Sequence, residues 1–142
     1  MKLWFLAPVL ILLDQVTKYV ARLELSGQTV DLFLGAKLHL TFNTGFAFSL
    51  PAPQLILIFL AIGVSGFLVF WSVNKERTRF EQWAAILVAS GAIGNAIDRI
   101  LFSQVTDFLS FWTFPVFNVA DVLVTLGVVV LLWGELVLKI KD

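Results

Sequence analysis

The chain has 142 residues, ten basic and ten acidic, with one histidine and no cysteine. It is 59% hydrophobic and only 14% charged, against roughly 25% charged in soluble domains, so the expected solvent is a bilayer. Disulfides, thiolate nucleophiles and thiolate metal sites are excluded, the lone His39 argues against zinc, and zero net charge argues against nucleic acid.

The length suits one domain, 1–142. The first apolar run, about 3–23, carries Asp14, Lys18 and Arg22. It has a basic start like a signal peptide, but no small-residue cleavage site follows it, so a retained helix is expected. Asp14 and Lys18 are i and i+4, acid before base, which is the favourable order on one helix face. A structural ion pair is the preferred reading.

Residues 24–53 follow. There "KLHLTFN" alternates apolar and polar positions, as a short strand on a membrane surface would. "NTGFAFSLPAP" is turn-rich. Its Asn43 and Gly45 suit plain turn chemistry, or an asparagine that binds a substrate's backbone. The second run, about 54–73, has no charge. "NKERTRF" then supplies Lys75, Arg77 and Arg79 as a loop.

The third run, about 83–101, contains "ASGAIGNAIDRI". Asn95 is three residues before Asp98 and four before Arg99, so all three can share one face. They suit a satisfied polar network, or an Arg99 that orients a carboxylate or a substrate carbonyl. An aromatic-rich interfacial stretch, 102–118, holds Asp107. The fourth run, about 119–138, opens with Asp121. Asn118 is either that helix's N-cap or a same-face partner of Asp121.

Four runs of about 20 residues give an all-α membrane protein of four transmembrane helices with a small extracytoplasmic β-rich element. Lys2, the "NKERTR" loop, Lys139 and Lys141 fall on one side, which is therefore expected to be cytoplasmic, with both termini. Trp4, Trp71, Trp83 and Trp133 mark that interface and Trp112 the opposite one. Asp107 and Asp121 then lie at the extracytoplasmic face. If they converge, they cannot both ionise cheaply. One could deprotonate a water while the other polarises an amide carbonyl, which is aspartyl-protease chemistry without a metal or a cofactor.

Two other classes compete. Intramembrane acids also mark proton-coupled carriers, but no inverted repeat is present. A non-enzymatic assembly subunit would use every polar group as interhelical glue.

The ordered set "DQVTK", "FNTGFAFS", "GAIGNAIDR", "VTDFLSFW" and "PVFNVAD" resembles the bacterial lipoprotein signal peptidases, the type II signal peptidases, over nearly the whole chain. The resemblance implies a bacterial plasma-membrane aspartyl endopeptidase. Its substrates would be prolipoprotein signal peptides, cut before a diacylglyceryl-modified cysteine, and globomycin-like cyclic peptides would inhibit it. It implies Asp107 and Asp121 as the catalytic acids. Asn43, Gly45, Asn95, Arg99 and Asn118 would support them or bind substrate, and Asp14, Lys18 and Asp98 would form a structural polar network. The chain departs from the family pattern in "SGAIGN", in Phe46, and in a loop of 13 residues between the two aspartates.

Overall fold

A computed structural model describes residues 2–45, 53–73 and 77–138. Lys75, Lys139, Lys141 and Phe46, which bear on the expectations above, lie outside them. A 3-10 turn, Lys2–Phe5, leads into helix α1, Leu6–Glu24; strands β1, Thr29–Asp31, and β2, Ala36–Asn43, follow. Helices α2, Gln54–Ser72, and α3, Arg79–Phe102, come next, then strand β3, Val105–Phe111, and helix α4, Val119–Leu138.

The four apolar runs therefore become four helices. Three of them, 3–24, α2 and α3, are long and apolar enough to cross a membrane, and α4 has a shorter apolar stretch, Val119–Gly134. Helix α3 begins earlier than the apolar run suggests because Thr78 builds a capping box. Its hydroxyl accepts from the Glu81 N–H at 3.2 Å, and Glu81 accepts from the Thr78 N–H at 2.7 Å. Two orphan donors are satisfied at once, so Arg79 and Phe80 are helical rather than part of a loop.

Helix α3 is the central element, packed on α4, α2 and α1. The α2–α3 seam is built from Leu68, Ala85 and Ala89, with Trp4, Trp71 and Val88 packed against it. Ser65 donates to the Ala89 carbonyl across it at 3.3 Å. Trp4 donates to Ser72 at 3.1 Å, fastening the start of the chain to the end of α2.

The α3–α4 seam is closer still, because glycines remove the side chain where the helices meet. A Cβ on Gly91 would lie 2.3 Å from the Ala120 carbonyl oxygen, and one on Gly127 would lie 2.8 Å from that of Ala84. Small residues let membrane helices approach this closely.

The sheet is antiparallel with order β1-β2-β3. It docks through Phe108 on Ala21 and Leu25 near the end of α1, with Leu38, Leu40, Leu109 and Val119 around them. The alternation in "KLHLTFN" did identify β2. The 102–118 stretch, expected only to be interfacial, contains β3. Val105, Thr106, Asp107 and Phe108 are all buried, so no period of two marks this strand. Ser103 adopts the left-handed conformation, φ 58°, ends α3 and turns the chain into β3.

The distribution of side chains is inverted relative to a soluble fold. Among the described residues, the largest fully buried side chains are Lys18, Ile86, Asn118, Thr106, Asp14, Asp98, Ser72 and Ser90. Leu12, Leu55, Phe59, Phe67, Phe70, Leu132 and Trp133 are more than half exposed. Helices that turn aliphatic and aromatic groups outward and polar groups inward suit hydrocarbon as the surrounding solvent.

Candidate active site

The polar interior begins on α1. Lys18 lies one turn after Asp14, and their charged groups meet at 2.9 Å, both fully buried. The expected ion pair is therefore present, but it is not isolated. Asp14 also accepts from the Ala120 N–H at 2.8 Å and from Gln15 at 3.0 Å. Gln15 donates in addition to the Gly94 carbonyl at 3.0 Å. Lys18 further reaches Asp98 at 3.7 Å and donates to the Asn95 side-chain oxygen at 2.9 Å.

Asp98 looks toward the sheet. It accepts from the Thr106 N–H at 2.8 Å and lies 3.8 Å from Arg22. Arg22 donates to the Thr106 hydroxyl at 2.7 Å and covers the Phe102 ring at 4.6 Å. This arrangement fixes the first residues of β3, and with them Asp107.

The two acids come from different elements, Asp107 from β3 and Asp121 from the first turn of α4. Asn118 joins them. Its side-chain nitrogen donates to Asp107 Oδ1 at 2.6 Å. Its side-chain oxygen accepts from the Asp121 N–H at 3.0 Å, and its own N–H donates to Asp121 Oδ2 at 3.2 Å. The last two bonds form a reciprocal capping box with aspartate at the third position. Asn118 thus caps α4, and its side chain also reaches Asp107.

Asn95 supplies the remaining Asp121 contact, donating to Oδ1 at 2.8 Å, and accepts from Asn118 at 3.1 Å. Asn43 accepts from the Gly45 N–H at 2.9 Å, as an Asx turn requires, and offers its side chain to Asp107. Arg99 donates to the Gly45 carbonyl at 3.0 Å and lies within electrostatic reach of Asp121, Asp107 and Asp98. No basic residue lies next to Asp107 or Asp121 in the sequence. In space, Arg99 and Lys18 serve both the pair and its neighbours.

Asp107 is almost fully buried. Burial raises its pKa, and the Asp121 charge raises it further, to about 6. Hydrogen bonds from Asn118 and Asn43, and the charge of Lys18, oppose the rise without cancelling it. A carboxyl in this state can hold a proton near neutrality and give it up during a reaction. Among the described residues no group of histidine, cysteine, aspartate and glutamate is arranged to hold a metal ion.

All ten candidate residues therefore fall into one continuous network. The sequence alone did not mark Gln15, Arg22, Thr106, Gly94 or Ala120 as parts of it. The signal for Gly94 is its spacing of three from Gly91, which puts both on the face that meets α4 and Asp14. A Cβ on Gly94 would stand 2.6 Å from Asp14 Oδ2.

This chain matches known proteins along most of its length. The model of a family described as signal peptidase (SPase) II matches residues 6–137. A lipoprotein signal peptidase of Hydrogenovibrio crunogenus is 41% identical over 95% of this chain and 85% of its own length. One from Coxiella burnetii (strain RSA 493 / Nine Mile phase I) is 40% identical over 92% of this chain and 86% of its own. A bacterial membrane enzyme solved by the in meso method at 2.3 Å resolution superposes with a TM-score of 0.86 at 28% identity. It covers 97% of this chain and 88% of that one. A second, at 1.9 Å resolution, gives 0.84 at 28% identity over 93% of this chain and 90% of that one. The chain belongs to the signal peptidase II family and is a membrane-bound protease.

Proposed function

We propose that Asp107 and Asp121 are the catalytic pair with which this peptidase removes signal peptides from prolipoproteins, cutting just before a diacylglyceryl-modified cysteine. The observation that carries the assignment is Asn118, one residue hydrogen-bonded to both carboxyl groups at 2.6 and 3.2 Å. Charge balance supports it. The network holds four acids, Asp14, Asp98, Asp107 and Asp121, against three bases, Lys18, Arg22 and Arg99. One proton shared by the pair makes it neutral, which a buried site favours.

In the singly protonated pair, one carboxylate takes a proton from water as the water attacks the scissile carbonyl carbon. The protonated partner donates to the carbonyl oxygen, giving a neutral gem-diol. Collapse of that intermediate breaks the C–N bond, with a proton delivered to the leaving amine. Arg99 and the Asn43–Gly45 turn border the pair and suit the substrate's backbone. Asn95 and Asn118 hold the acids, while Asp14, Lys18 and Asp98 fasten α1 to α3 and β3.

The placement follows from the same reading. All four helices cross a bacterial plasma membrane, both termini are cytoplasmic, and the aspartates face the extracytoplasmic side. The lipid-bearing substrate then enters sideways from the bilayer. Labelling of single cysteines in spheroplasts tests this orientation. A cysteine at Trp112 should react with an impermeant maleimide, and one at Arg79 should react only after lysis; the reverse pattern would refute the topology.

The function is tested with reconstituted protein and a diacylglyceryl-modified precursor, with the cut located by mass spectrometry. Cleavage of the unlipidated precursor at equal rate would remove lipid from the specificity. Globomycin should inhibit the reaction. Because the pair titrates as a unit, kcat/KM should be bell-shaped, with its alkaline limb around the value near 6 to which Asp107 is raised. A flat profile through the acid range would count against shared-proton chemistry.

A further inference from the structure

Lys18 does more than neutralise Asp14. Its ammonium carries three N–H donors and has three acceptors around it: Asp14 Oδ2 at 2.9 Å, Asn95 Oδ1 at 2.9 Å and Asp98 Oδ2 at 3.7 Å. The two carboxylates account for its charge. The contact with the neutral Asn95 amide is not needed for charge balance, yet it is the one that leads to the reacting acids.

An asparagine side chain fits its site nearly equally well either way round, so its neighbours decide which end is which. Asn95 Oδ1 accepts from Lys18 and from Asn118 Nδ2 at 3.1 Å, and Asn95 Nδ2 donates to Asp121 Oδ1 at 2.8 Å. Turned over, it would set an NH2 against an ammonium and another NH2, and an oxygen against a carboxylate. Every contact would become repulsive. Asn118 is fixed in the same manner. Its oxygen is claimed by the Asp121 N–H at 3.0 Å, which leaves its NH2 for Asn95 and Asp107.

We propose that Lys18 is a positioning residue for catalysis, holding the Asn95 amide so that it donates to Asp121 and accepts from Asn118, which in turn donates to Asp107. The inference rests on the aspartate-pair reading above. It differs from a purely structural role in one respect: Lys18 then acts on the acids and not only on the fit of α1.

Lys18→Met alone would strand Asp14 and Asp98 without their ammonium, and would report chiefly on folding. The decisive variant is Asp14→Asn combined with Lys18→Met, which is close to isosteric, leaves the net charge unchanged and leaves Asp98 with Arg22, 3.8 Å away, as its cation. If Lys18 were only the counter-ion of Asp14, removing both charges together would leave catalysis intact. On the present reading the double variant unfolds near the wild-type temperature in detergent, but kcat falls about 30-fold or more with KM within about threefold. The bell of kcat/KM also moves to higher pH, because the Lys18 charge that favours ionised Asp107 is lost.

Activity within about threefold of wild type, or a loss of activity with the pH profile unmoved, would overturn the role of Lys18. The two proposals fail separately. Inactive Asp107→Asn and Asp121→Asn variants beside an active double variant leave the acid pair standing and remove Lys18 from catalysis. Active Asp→Asn variants remove the pair itself.

Discussion

Asp107→Asn and Asp121→Asn are each expected to lower kcat by about 1,000-fold or more on a lipidated precursor, while the protein stays folded. Asparagine keeps the shape and one acceptor oxygen but can neither take a proton from water nor give one to a carbonyl. For Asp107 the stability result has a definite sign. Its folded pKa, about 6, lies above the ordinary 3.8, so between these values the unfolded chain ionises first. As pH rises through this window, ionisation favours the unfolded state and the folded protein loses stability. A neutral asparagine is exempt. Thermal unfolding of Asp107→Asn in detergent should therefore occur at or above the wild-type temperature at pH 7, with a smaller difference at pH 4. A variant that loses activity together with its folded state would point to a structural aspartate instead.

Gly94→Ala is expected to damage the bundle severely, and to do so through Asp14. The new Cβ would meet Asp14 Oδ2 at 2.6 Å and the Ala120 Cβ at 3.3 Å. Overpacking a tight seam costs about 1–3 kcal/mol. Displacing Asp14 would also loosen its contacts with Lys18 and the Ala120 N–H, and breaking a buried pair costs about 3–5 kcal/mol. The sum is comparable with the whole stability of a typical small domain, about 5–15 kcal/mol. Little folded Gly94→Ala protein should survive extraction at 37 °C, as judged by size-exclusion yield and thermal unfolding. Gly63→Ala and Gly66→Ala are the controls, since nothing lies within 4 Å of a Cβ at either position. Their yields should equal wild type. Normal behaviour of Gly94→Ala would mean that α3 and α1 can separate without consequence.

The helices were legible because lipid demands long uninterrupted apolar runs, and such runs leave few alternatives. The Asp14–Lys18 pair was legible because four residues make one helical turn. Strand β3 was not, since burial on both faces erases the alternation by which strands are recognised. The acids could be named individually, but their convergence depends on two long-range events. Arg22, Asp98 and Thr106 fix where β3 starts, and Asn118 spans from α4 to β3. Neither event leaves a periodic trace. Gly94 was passed over because glycine is common in membrane helices for general packing, and only the position of Asp14 makes this one specific.

The Asp14 carboxylate and the Ala120 N–H that it accepts are 106 residues apart. During synthesis α1 is made long before α4 has been translated. At that stage the partner Asp14 has within its own helix is Lys18, one turn away, and the pair can be inserted with no net charge. In the folded chain the same two side chains share further contacts: Lys18 with Asn95 and Asp98, and Asp14 with Ala120. The ion pair within α1 is thus also an anchor of the polar network between α1, α3 and α4. A partly made chain has Asp107 but not yet Asn118 or Asp121, so on the proposed assignment the acid pair is complete only once α4 has been made.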